Sequence, residues 1–125
     1  MKEYIEVTLP SDNPWIRGPV VKVDSTVANR IAKVAASVAE SLRGKFKEAH
    51  QYDAPVFAAV KDLMPENEYD CEVMYRAVGK ILYKKANYKD WHDGNYAASR
   101  CFQTRNAYAT PGFIEAKRHS EMHGT

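Results

Sequence analysis

Residues 71–82, CEVMYRAVGKIL, set Cys71, Met74, Tyr75, Val78, Ile81 and Leu82 at separations of three, four and seven. That period fits an α-helix with one apolar stripe and fits no strand. The flanks agree with it. Glu66, Glu68, Asp70 and Glu72 crowd the start, Lys84 and Lys85 the end, and both ends suit the helix dipole. A helix is expected over about 67–86, with Asn87 as its stop. A stripe this long must be covered by another apolar face. The nearest candidate repeats Val27, Ile31, Val34, Val38 and Leu42 at helical spacing, after a cap at Asp24 or Ser25 and on to about residue 43. Ala28, Ala32, Ala35, Ala36 and Ala39 flank that stripe, smooth enough for a second helix to approach closely. Gly44 either closes this helix in the left-handed conformation or is absorbed within it.

Asp53 as cap with Pro55 just inside starts a shorter helix over about 54–64, with Val56, Phe57, Val60, Leu63 and Met64 on its apolar side. Ahead of these helices, Ile5, Val7 and Leu9 alternate with Tyr4, Glu6 and Thr8, a strand pattern. The loop PSDNPWIRGP and a return strand VVKV complete a hairpin over about 3–23. Beyond the D-G pair at 93–94, read as a turn, further helices are expected over about 96–108 and 111–119. The expectation is an α+β, mainly α fold: a short N-terminal β-hairpin packed on a bundle of four to five helices. Its 125 residues are enough for one domain, 1–125, with a core that needs no metal or disulfide.

Several chemistries find no support. No apolar run approaches the roughly 20 residues of a membrane span, so no membrane partner is expected. The first residues lack a signal-peptide pattern, which points to an intracellular, cytoplasmic protein. Cys71 and Cys101 read as buried thiols, with a disulfide between them left open. The six glycines are solitary, so no phosphate-cradling loop exists, and no serine sits in a nucleophile elbow. A helix-turn-helix around Pro65 would aim Glu66, Glu68, Asp70 and Glu72 at DNA phosphates. His119 and His123 stand four apart but have no third ligand in view, so neither a metal nor any other cofactor is expected.

The charge distribution is more informative. Residues 1–70 carry nine Lys/Arg against eleven Asp/Glu, and residues 71–125 carry nine against five. The basic half is also rich in aromatic side chains. Arg76, Lys80, Tyr83 and Lys84 fall opposite the buried stripe on one helix face. Lys85, Tyr88, Trp91, Tyr96, Arg100 and Arg105 follow in the same region. Cations neutralise phosphate and flat rings stack on bases, so these residues are the candidate site of a non-catalytic protein binding nucleic acid or a phosphate-bearing nucleotide. Two alternatives stay open. One is a protein-interaction module, inhibitor or adaptor, contacting its partner through Trp15 and Arg17 in the hairpin loop. The other is a small enzyme built on Asp90, His92 and Asp93, with an aspartate orienting the imidazole; without such a role His92 reads as a solvent-facing loop residue. A homodimer and a monomer are equally open, since a lone hairpin leaves strand edges to pair.

Overall fold

Two backbone hydrogen bonds outside the strands define the hairpin. In the computed structural model, which describes residues 3–9, 11, 13 and 15–102, strands β1 (Tyr4–Thr8) and β2 (Val20–Asp24) pair antiparallel with Glu6 opposite Lys22. The Ser25 N–H donates to the Glu3 carbonyl and the Leu9 N–H to the Pro19 carbonyl, each at 2.9 Å. In an antiparallel ladder bonded pairs alternate with non-bonded ones. The bonded pairs are therefore those of Glu3, Ile5, Val7 and Leu9. Tyr4, Glu6 and Thr8 turn their N–H and C=O groups away from β2, to the outer edge. Val7, Leu9 and Val23 are buried and the alternate residues Tyr4, Glu6 and Thr8 are exposed, as the sequence alternation predicts.

Four α-helices follow among the described residues: α1 (Ser25–Ser41), α2 (Asp53–Val60), α3 (Glu68–Lys85) and α4 (Gly94–Cys101). The fold is α+β and mainly α. Helix α1 packs on α2, α3 and α4, α3 packs on α4, and the hairpin lies against α3. Asp24 caps α1, its carboxylate accepting from Thr26 N–H at 2.8 Å, and Asn67 caps α3 by accepting from Asp70 N–H at 3.1 Å. Cys71, Met74, Tyr75, Val78 and Leu82 are buried along α3, with Ile81 half-buried beside them.

Four local expectations need revision. The centre of the buried face of α1 is Ala28, Ile31, Ala32, Ala35 and Ala39, whereas Val34, Val38 and Leu42 are half-buried and Val27 is exposed. The alanines win because α4 comes too close for larger groups. A Cβ added at Gly94 would lie 2.5 Å from the Ala36 carbonyl oxygen. Helix α1 also stops earlier than expected, at Ser41, and Gly44 takes the left-handed φ of 77° in the turn beyond it. Asp53 does not cap α2. A 3-10 turn, Ala49–Tyr52, leads directly into the helix, capped by reciprocal bonds of Glu48 and Gln51, so Asp53 is already helical. Finally, the D-G pair starts a helix and makes no hairpin-like turn: the Asp93 carboxylate accepts from Asn95 and Tyr96 N–H, and α4 begins at Gly94. The expected helix over 96–108 lies partly, and that over 111–119 wholly, outside the described residues, together with Arg105, His119 and His123. Cys71 and Cys101 are buried thiols.

The α3–α4 junction is about as close as that between α1 and α4. Tyr75 donates its hydroxyl proton to the Cys101 carbonyl, its ring meets that of Phe102 at 5.0 Å, and a Cβ at Gly79 would sit 2.6 Å from the Phe102 carbonyl oxygen. Backbone cannot yield there as a flexible side chain could. Gly79→Ala and Gly94→Ala should therefore each cost about 1–3 kcal/mol by overpacking, although alanine is the better helix former. Urea unfolding of the two variants checks this; unchanged or raised midpoints would contradict the close approaches.

Candidate functional site

Beside that junction the surface opens into a cleft of about 690 Å³. One wall is α3, contributing Arg76, Lys80, Tyr83, Lys84 and Lys85. The facing wall is the start of β1 and the first turns of α1, with Glu3, Tyr4, Ser25 and Asn29. Ile5, Gly79 and Phe102 supply apolar surface between them. The α3 residues point here for a simple reason. Positions 76, 80, 83 and 84 are neighbours at helical spacing, opposite the stripe that α3 buries against α1 and α4. At Gly79 the missing side chain lets the end of α4 lie directly on the α3 backbone.

Electrostatically the cleft is lopsided. Its α3 wall carries four cations, whereas the only acid among the described residues lining it is Glu3, on the other side. Arg76 bonds Glu72 one turn away, Nη2 to Oε1, at 3.2 Å. Its Nε–H is buried and finds no acceptor among the described residues. A buried donor left unsatisfied costs about 1–3 kcal/mol. Lys80 donates from Nζ to the outward carbonyl of Glu6 at 2.7 Å, which holds the ammonium against the edge of β1.

The structure thus gathers five of the candidate residues, Arg76, Lys80, Tyr83, Lys84 and Lys85, and distributes the rest. Tyr88 and Tyr96 extend from Tyr83 as a chain of rings, with centroids 5.6 and then 5.7 Å apart, so they adjoin the cleft without lining it. The Tyr88 hydroxyl donates to the Tyr83 carbonyl at 2.9 Å. Partial desolvation beside Tyr83, the bond to Tyr83 and the neighbouring phenol raise its pKa. Trp91 does not join them; its ring stacks on His92, centroids 3.6 Å apart, away from the cleft lining. Arg100 is exposed on α4 within electrostatic reach of Asp53 and also lies off the cleft.

Asp90, His92 and Asp93 do not form a set around an open site. The Asp93 carboxylate is occupied as the cap of α4. Asp90 pairs with Arg43 and accepts the backbone N–H of His92 at 3.1 Å, so it does not orient the imidazole. His92, expected at the solvent, is half-buried, and its Nδ1 lies 2.9 Å from the hydroxyl of fully buried Tyr52. These contacts tie the loop before α4 to the body of the protein. Trp15 is 93% exposed at the tip of the hairpin loop, with Ile16 60% exposed beside it, and does not fold back over the strands. Arg17 reaches the Thr8 hydroxyl at 3.4 Å.

The wall opposite α3 was not foreseen. Tyr4 alternates in sequence with the apolar residues of its strand, and nothing in the sequence marks Glu3 or Asn29. Only the docking of the hairpin on α3 makes them part of a cavity. No protein family matches the chain, and no similar curated protein or solved structure was found. No described helix is long and apolar enough to cross a membrane, and no group of three or more metal-ligating side chains occurs among the described residues.

Away from the cleft, Asp53 is half-buried beneath the end of α4. Burial raises its pKa above the ordinary 3.8, against the opposing pull of the Cys101 thiol, His50 and Arg100. Stability contributed by its protonated form is complete below the unfolded value and is lost as pH rises through the higher folded one. Asp53→Asn should therefore gain stability relative to the natural protein between about pH 4 and pH 7. Paired thermal melts across that range read the difference. A constant difference, or one favouring Asp53 as pH rises, would contradict the direction of the shift.

Proposed function

We propose that this protein is a non-catalytic binder of a phosphate-bearing nucleotide, held in the cleft between α3 and β1. The buried Nε–H of Arg76, without an acceptor among the described residues, carries this reading, because Arg76 lines the cleft together with Lys80, Lys84 and Lys85. Phosphate oxygens would satisfy the guanidinium and neutralise the lysines, while Tyr83 and the apolar surface of Ile5 and Phe102 accept a flat ring. A cleft of about 690 Å³ falls within the usual range for small-molecule sites and favours a single nucleotide over a strand of nucleic acid. Capture works by neutralisation and stacking, with no bond made or broken.

A second reading rests on the hairpin tip. Trp15 and Ile16 are the kind of exposed apolar anchors that dominate protein contacts, and Arg17 stands next to them. In this reading the protein acts on a partner protein by covering part of its surface.

Ligand-induced stabilisation separates the two. ATP at millimolar concentration should raise the melting temperature by mass action, and the rise should shrink as salt is added. Arg76→Ala should weaken nucleotide affinity about tenfold or more, the loss typical of a charge-assisted hydrogen bond. Trp15→Ala should leave it unchanged. Absence of any shift with nucleotides at low salt would overturn the nucleotide reading.

A further inference from the structure

The wall facing the cations is built differently, and it bears on which part of a nucleotide lies against it. Tyr4 sits at an even position of the ladder, so its N–H and C=O both point outward from β1, and Tyr4 lines the cleft. An extended residue on an open edge offers one donor and one acceptor side by side. Such an edge ordinarily invites a further strand. Here it cannot take one without disruption, because the next outward carbonyl, that of Glu6, is already held by the Lys80 ammonium at 2.7 Å. What remains at Tyr4 is a single donor–acceptor couple, closed off on one side by Lys80. That is the complement of a nucleobase edge, on which a ring nitrogen and an exocyclic group alternate as acceptor and donor.

Glu3 supplies the second half of the argument. It is the one acid among the described residues lining the cleft, it adjoins Tyr4 in the chain, and it faces the four cations of α3. A carboxylate there repels phosphate and accepts from an N–H donor. The cleft is thereby polarised, with phosphate at the α3 wall and the base at the β1 wall. Resting on the nucleotide reading above, we propose that the β1 wall reads the base. The outward N–H and C=O of Tyr4 pair with its edge, and Glu3 selects a base bearing an exocyclic amino group. Adenine and cytosine present both an acceptor nitrogen and an amino group with two protons, one for the Tyr4 carbonyl and one for Glu3. Uracil has a single N–H, which the Tyr4 carbonyl uses, and leaves Glu3 facing an acceptor.

Isothermal titration of the full chain with ATP, CTP, UTP and inorganic tripolyphosphate at one ionic strength tests this. ATP and CTP should bind about tenfold tighter than tripolyphosphate and than UTP, the discrimination expected from one or two hydrogen bonds. Glu3→Ala should erase the preference over UTP without weakening tripolyphosphate. Tyr4→Pro, which removes the outward N–H at an edge position that tolerates proline, should reduce all three nucleotides toward the tripolyphosphate level. Equal affinity for all four ligands would overturn base reading while leaving phosphate capture intact, and no binding by any of the four would overturn both. A Glu3→Ala variant that weakens tripolyphosphate as much as ATP would give Glu3 a merely structural role and sink the selection claimed for it.

Discussion

The contact between the Gly79 backbone and the Phe102 carbonyl holds the described structure together. It brings the end of α4 onto the middle of α3, closer than any side chain permits. Tyr75 then reaches Cys101 from below, and Phe102 turns its ring onto Tyr75 and Phe57. Gly94 plays the matching part at the start of α4, against α1. A helix of only eight residues is marginal alone, so α4 exists because both of its ends are seated on other helices and Asp93 caps it. The cleft is a by-product of the same seating. With α4 pressed down at Gly79, Phe102 becomes floor, and α3 and β1 rise as walls.

Burial explains why the polar groups at this site differ in what they can do. Lys84 and Lys85 are exposed, and each alone contributes only a screened attraction to an anion. Arg76 is different. Its side chain is 21% exposed, and the Glu72 bond satisfies one terminal nitrogen but not Nε. An acceptor arriving at Nε gains a charge-assisted bond in a partly desolvated setting, where such bonds are stronger than at the surface. Lys80 has three donors and spends one on Glu6, which fixes the ammonium without exhausting it.

Sequence periodicity was sufficient for the fold class and for α3, because an unbroken stripe from Cys71 to Leu82 leaves no other solution. It also placed Arg76, Lys80, Tyr83 and Lys84 on one face, since helical spacing alone decides that. It was insufficient wherever a second element decides the outcome. The alanines of α1 looked like a flank to the valine stripe, and only the closeness of α4 makes them the centre. His92 looked wet because nothing in its neighbourhood announces that Tyr52, forty residues earlier, ends beside it. Trp91 and Arg100 share a stretch of chain with Tyr96 yet face elsewhere, because a capped helix start at Asp93 fixes their directions. Tyr4 and Glu3 carry no signal of their own: an exposed strand residue becomes a cleft wall only through the hairpin's position on α3.

The lysines raise a question of cause that the geometry resolves in part. Cations in the last turn of a helix interact favourably with its dipole, so Lys84 and Lys85 have a structural reason to be where they are whether or not a ligand exists. Lys80 likewise has one, since a lysine against an open strand edge discourages pairing with other chains. Neither reason applies to the Nε of Arg76. It lies in the interior of α3, far from the dipole's end, and its burial without an acceptor among the described residues subtracts from stability. A fold shaped for stability alone would place a smaller apolar residue there or supply the missing acceptor. Arg76 is therefore the residue at which the demands of folding and of the proposed ligand capture would diverge, and that proposal rests more on it than on the number of positive charges around it.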